Sequence, residues 1–357
     1  MQIGLIGLGA VVETAYLPAL QRSGMPDLQC YGFDIDQLRQ PGGVMRCASL
    51  ADLLAKPLDM VFVTTSSTQH LAALEQALAS PVQRIVVEKP VVASLAQMAH
   101  LKTLLAQTNT APRVLALDHW MARSSALPAT GTDSSGWISA DISSSIKPQL
   151  RLADVTHIEG FLQEPSGFND QGESIALNFA TGAPDTRQLR HPDGVILDTG
   201  THVLALLREI VSQLGGDDSL ELRLVAAQDR LGQPIERGDT QTAEGSAHLQ
   251  GQISGIPLDI WLDKYAGPQG GQKGWRIHLR DGRIVSLDRR GNADVVELQD
   301  GGLVTSWQRP GPIYDHCLRA LLTDDGKLFA QAAVMTRRRM AEVEALLQLQ
   351  QGLRGPH

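Results

Sequence analysis

Residues 2–12 read Gln2-Ile3-Gly4-Leu5-Ile6-Gly7-Leu8-Gly9-Ala10-Val11-Val12. A short apolar run ends in two glycines one residue apart, and a helical pattern over Ala10 to Arg22 follows. The first glycine permits a tight turn, and the second lets the backbone come close to a pyrophosphate. A helix opening behind them offers unpaired N–H groups and a positive dipole end to phosphates. Gly7, Gly9, Ala10 and Val11 are therefore candidate cofactor contacts. The third position of the fingerprint holds Val12 rather than Gly or Ala. Asp34 ends the next apolar run, 25 residues beyond Gly9, at the distance expected of the acid that meets a ribose diol. An Asp there accepts from the 2′-hydroxyl of NAD and repels the 2′-phosphate of NADP, so NAD is expected and NADP disfavoured.

The alternation continues outward from this unit. Strands are expected at Leu28–Phe33, Asp59–Thr64, Arg84–Val87 and Arg113–Leu117. Helices are expected at 49–54, Thr68–Ala79 and Ser94–Gln107, with Leu71, Leu74, Ala77 and Leu78 on one face. Strands apolar on both sides, alternating with helices, mean a parallel sheet covered on both faces. The predicted division is a dinucleotide-binding Rossmann domain over residues 1–120 and a substrate-binding, oligomerising α+β domain over 121–357, the last helices being open to packing back on the first domain. In the second part, Val155–Leu162 reads as a strand and Gly194–Leu214 as one long helix. Residues 220–307, punctuated by Gly-containing turns, read as an open antiparallel meander with helices on one face.

Composition narrows the function classes. The chain has 357 residues, 43% apolar and 20% charged, a globular balance long enough for two domains. Aromatics are 4%, and 31 basic residues face 39 acidic ones for a net charge of −8. Neither nucleic acid nor an anionic membrane is an expected partner. No apolar run approaches the ~18 residues of a membrane span. Cys30, Cys47 and Cys317 share no metal-ligand spacing and are too few and odd for a disulfide framework. With the glycine loop starting at Gly7, no room is left for a leader, and a cytoplasmic protein is expected.

Several other residues carry chemistry. Glu88-Lys89-Pro90 follows a strand end, and the carboxyl ends of parallel strands form the ligand crevice. Lys89 there can hold a hydroxyl or carbonyl oxygen. Thr64 and Thr65 end another strand in the same region and suit ribose or phosphate contacts. Asp198 and His202 stand four apart in the long helical segment, where a carboxylate can orient an imidazole for general-base work. The spacing also suits zinc, but the remaining ligands are absent and no metal is expected. Asp118-His119-Trp120-Met121-Ala122-Arg123 ends the last strand of the first domain.

The chain resembles the Gfo/Idh/MocA oxidoreductases over nearly its whole length. The resemblance rests on the glycine loop followed by Tyr16-Leu17-Pro18-Ala19-Leu20, on Thr64-Thr65 with His70, on Val87-Glu88-Lys89-Pro90, and on Gly194, Asp198 and His202. It implies a Rossmann domain binding NAD(P), an open antiparallel sheet domain, sugar or polyol substrates, and a homodimer or homotetramer. It implies Lys89 and His202 as the catalytic pair with Asp198 assisting, and adds His70 and Glu88 to the cofactor contacts. Locally, residues 118–123 and Glu164-Pro165-Ser166-Gly167 are similar to motifs of glucose-6-phosphate dehydrogenases. That similarity implies Asp118 polarising His202, with His119, Trp120 and Arg123 facing the substrate. The expected activity is hydride transfer between NAD and a hydroxyl carbon of a sugar, polyol or sugar derivative. Two alternatives share these residues: a lyase or glycosidase that oxidises a sugar carbon transiently, and a non-catalytic dinucleotide-binding sensor.

Overall fold

The computed structural model describes residues 1–107, 109–126, 138–139, 150–177, 182–185, 189–323 and 327–355. The chain divides into two compact units, Met1–His119 with Ile313–Glu344, and Trp120–Pro312 with Ala345–His357.

The first unit holds six parallel strands: β1 (Gln2–Ile6), β2 (Gln29–Phe33), β3 (Val44–Arg46), β4 (Met60–Val63), β5 (Ile85–Glu88) and β6 (Val114–Leu117). Their order is β3-β2-β1-β4-β5-β6, with the strand order reversing beside β1. Every residue of β4, β5 and β6 is buried, as strands covered on both faces must be. The helices here are α1 (Leu17–Arg22), α2 (Leu50–Leu54), α3 (His70–Ala79) and α4 (Leu95–Leu105). Ser94 caps α4 by accepting the Gln97 amide at 3.2 Å, and the Gln97 side chain reaches back to the Ala93 amide at 2.9 Å. Two features depart from expectation. β3 is a three-residue strand that the pattern around it does not announce. The helix expected over Ala10–Arg22 starts at Ala10 as expected but is interrupted by a π-helical turn, Val12–Tyr16, and resumes as α-helix at Leu17. Pro18 follows that π turn directly, where the wider turn accommodates a residue without an N–H.

The second unit is built on a nine-stranded sheet. After β7 (Ile138–Ser139) come β8 (Val155–Gln163), β9 (Ser166–Phe168) and β10 (Ser174–Ala176), the last two forming a separate hairpin. Two helices follow, α5 (Val195–Asp198) and α6 (Gly200–Gln213). The sheet is completed by β11 (Leu220–Gln228), β12 (Ser246–Ile253), β13 (Ile256–Asp263), β14 (Lys273–Leu279), β15 (Ile284–Arg290), β16 (Ala293–Asp300) and β17 (Leu303–Pro310). The expected meander is interrupted: β8 inserts between β13 and β14 and runs parallel to β13, while every other pairing is antiparallel.

Alternation sorts the two faces of this sheet. Ile158, Gly160 and Leu162 of β8 share a face with Leu258, Ile260 and Leu262 of β13 and Trp275 and Ile277 of β14. Helix α6 packs on that face, and Gly160 is what lets it approach: a Cβ there would stand 2.5 Å from Val203 and 3.1 Å from Leu207. The other face carries His157, Glu159, Phe161, His248, Asp259, Trp261, Arg276 and His278, cross-linked by ion pairs and stacked rings. The single helix expected over Gly194–Leu214 is pinched at Thr199, which separates α5 from α6.

The chain closes with α7 (Ile313–Thr323), α8 (Lys327–Ala330) and α9 (Ala332–Arg354). Thr336 of α9 donates to the Val114 carbonyl at 2.8 Å and accepts the Ala116 amide at 2.9 Å, so the exposed edge of β6 is satisfied by a side chain. Residues 332–344 of α9 belong to the first unit and 345–354 to the second.

Candidate functional site

The glycine loop is held open by its neighbours. Gly7 has φ +94°, and a Cβ on it would lie 2.8 Å from the Thr64 backbone, so only glycine fits. A Cβ on Gly9 would meet nothing within 4 Å, which leaves the loop's outer side open for a ligand's backbone-hugging phosphates. Asp34 caps the arrangement, accepting the Leu8 amide at 2.6 Å through one oxygen and the Asp36 amide at 2.8 Å through the other. An open glycine cradle at the end of β1 and a carboxylate at the end of β2 fit a dinucleotide.

Three residues expected to touch the cofactor are occupied inside the protein instead. Thr64 is 4% exposed and donates to the carbonyls of Ile6 at 3.1 Å and Gly7 at 2.8 Å, bracing the loop from beneath. His70 is 2% exposed; its Nδ1 lies 2.7 Å from the Pro90 carbonyl and its Nε2 3.0 Å from that of Thr65. Burial pulls its pKa down despite the two carbonyls. It fastens the Lys89–Pro90 loop to the end of β4. Glu88 is 5% exposed and accepts the Tyr16 hydroxyl at 3.0 Å, the Tyr314 hydroxyl at 3.4 Å and the Lys89 amide at 2.5 Å. Burial, with the Glu88 charge next, pushes both phenols well above their usual range. Thr65 and Lys89 are half-buried.

Around these tyrosines the first unit assembles the end of β6. Asp118 is buried, and the His119 ring stacks on Tyr314 with centroids 4.2 Å apart and planes at 19°. Tyr314 thereby joins His119 to the Glu88 carboxylate. Neither Tyr16 nor Tyr314 was expected here, because their meeting point with Glu88 is created by long-range packing alone.

In the second unit His202 lies on α6 and stacks on Trp120 at 5.6 Å and 19°. Trp120 is 5% exposed and carries the Arg123 guanidinium 4.3 Å from its ring centre. Arg123 corrects an expectation. It is fully buried, donating to Asp294 at 3.0 Å and to the Lys273 carbonyl at 2.7 Å, so its charge is neutralised in the sheet and does not meet a substrate. Trp120 is packed between Arg123 and His202. Asp294 sits among Arg123, Arg289 and Arg309; burial works to raise its carboxyl, but the three guanidiniums outweigh it and hold it below the usual range.

Asp198 ends α5, one residue before the pinch, so it and His202 do not share one continuous helix. Its carboxylate accepts Lys264 Nζ at 2.9 Å, with Glu164 3.7 Å from the same ammonium. The Asp198 charge, opposed by burial and helped by Glu164, holds the Lys264 ammonium firmly protonated. From the sequence, Lys264 reads equally as lining the sheet's ligand face or as strand packing, and its pairing with Asp198 is not legible. Its position at the end of β13, 66 residues from Asp198, leaves no local signal. Gly194 is explained by packing, being pressed against the buried Glu244.

Residues 1–115 match the model of the Gfo/Idh/MocA family, described as an oxidoreductase family with an NAD-binding Rossmann fold. The match spans about the first third of the chain and coincides with the six-stranded parallel sheet of the first unit. The fold of nearly the whole chain is similar to several solved structures. KijD10 from Actinomadura kijaniata, a 3-ketoreductase in complex with TDP-benzene and NADP, is 14% identical with a TM-score of 0.62, covering 97% of this chain and 96% of that one. UDP-N-acetylglucosamine 3-dehydrogenase GnnA from Acidithiobacillus ferrooxidans is 17% identical with a TM-score of 0.62, covering 98% and 99%. An oxidoreductase from Thermotoga maritima is 15% identical with a TM-score of 0.64, covering 98% and 96%. No curated protein matches the chain by sequence. Among the described residues no helix is long and apolar enough to cross a membrane.

Proposed function

We propose that the chain is an NAD-dependent oxidoreductase working at a CH–OH or keto carbon of a sugar derivative, with nucleotide sugars as the first class to test. The observation that carries this reading is the open glycine cradle with Asp34 at its rim, on a domain matched to an oxidoreductase family. The 3-ketoreductase and 3-dehydrogenase activities of two proteins of similar fold support the substrate class.

The bound dinucleotide would be held by the backbone of Gly7 to Val11 and by Asp34, and it supplies an acceptor or donor of hydride. The protein's own part is proton handling and orientation. Lys89 holds the substrate oxygen by charge. His202 takes the hydroxyl proton in the oxidising direction and returns it in the reducing one. Asp198, fixed by Lys264, assists His202. The test is a panel of nucleotide sugars and free sugars, each incubated with oxidised and reduced dinucleotide while nicotinamide absorbance is followed. Turnover of a nucleotide sugar is the expected result. Failure to bind either dinucleotide in a calorimetric titration overturns the reading.

A further inference from the structure

We infer that Trp120, held by Arg123, is a positioning residue that sets the ring plane of His202. The inference rests on the proposed role of His202. A histidine's χ2 torsion is broad and nearly two-fold, so a helix alone fixes where the imidazole starts but not which way its nitrogens face. Here the imidazole lies within 19° of the Trp120 ring plane. Both residues are buried, His202 at 8% and Trp120 at 5% exposure, so the stack is shielded from competing water.

Trp120 is itself fixed by a cation. The Arg123 guanidinium stands 4.3 Å from the indole centre, at cation–π distance. Its Nε is held by Asp294 and its Nη2 by the Lys273 carbonyl, at the ends of β16 and β14. The sheet's most deeply buried carboxylate thus anchors an arginine, the arginine an indole, and the indole an imidazole. Nothing in this chain of contacts needs to touch substrate. A residue that only orients a base should change kcat and leave KM in place.

The test compares Trp120→Leu, Trp120→Phe and Arg123→Lys with the unaltered protein, after thermal melting has established which variants fold. The His202 ring signals, identified by their loss in His202→Ala, are followed by NMR. In the unaltered protein they lie upfield under the indole ring current; in Trp120→Leu they move downfield, and Trp120→Phe retains part of the shift. With the nucleotide sugar turned over best, Trp120→Leu should lower kcat by about 10–100-fold, the scale of a misplaced catalytic group, with KM unchanged. Trp120→Phe should recover most of that loss. Unmoved His202 signals overturn the inference without any need of a substrate. So does a raised KM at unchanged kcat, which would make Trp120 a substrate contact. If His202→Ala itself turns over normally, it is the proposed role of His202 that fails, whatever the NMR shows.

Discussion

Asp34 accepts the amide of Leu8 at 2.6 Å, tying the end of the second strand to the middle of the glycine loop. The carboxylate is thereby oriented before any ligand arrives, with lone pairs left for a ribose diol. Arg46 already donates to the carbonyls of Asp34 at 2.7 Å and Arg39 at 2.6 Å, so it is engaged rather than waiting for a 2′-phosphate. NAD should therefore bind more tightly than NADP in a fluorescence titration, and Asp34→Ser should narrow the gap by weakening NAD and strengthening NADP. Tighter binding of NADP by the unaltered protein would sink the assignment.

Lys89→Ala and His202→Ala should each lower turnover by about 10²–10⁴-fold, the usual range for a group that handles a proton or oxygen in the transition state. Circular dichroism should show both variants folded. Near-normal kcat in either one removes that residue from the mechanism.

Asp294 offers a stability test. Asp294→Asn leaves the buried guanidiniums of Arg123 and Arg309, and the half-buried one of Arg289, without their carboxylate, and breaking a buried pair costs about 3–5 kcal/mol. Its folded pKa lies below the ordinary 3.8, so its contribution is present above that value and is lost as pH falls through the lower folded one. Urea unfolding at neutral pH should show the Asn variant much weaker. Titrating toward pH 3 should narrow the difference, and a constant gap would contradict the ion-pair account.

What the sequence made legible was local. The glycine loop and Asp34 are read within one βαβ unit, where spacing alone carries the chemistry. The π turn just before Pro18 is not announced by any spacing in the sequence. Glu88 and Lys89 are adjacent, yet one turns inward to Tyr16 and Tyr314 and the other remains half-buried; pleat alternation separates them, and no composition rule says which is which. Arg123 is expected to face the substrate because its partner, Asp294, lies 171 residues away and leaves no local signal. The insertion of β8 beside β13 was equally hidden, since pairing between strands far apart in sequence leaves no turn signal behind.

The outer face of the nine-stranded sheet suggests self-association. His157, Glu159, Phe161, Trp261, Arg276 and His278 form a surface of stacked rings and paired charges rather than a plain solvated one. A second copy packing on this face would give a homodimer. Light scattering should return twice the chain mass at micromolar concentration, and Trp261→Glu should return the single chain. A monomeric unaltered protein refutes the prediction.

The division of α9 at residue 344 has a consequence for biosynthesis. The six-stranded sheet is complete once residue 117 has left the ribosome, but the side chain that satisfies its edge strand, Thr336, is made more than two hundred residues later. The second unit waits longer still, for Gln350 and Arg354 to reach the buried Glu244. Neither unit can therefore complete these contacts before residues 336–354 have been made.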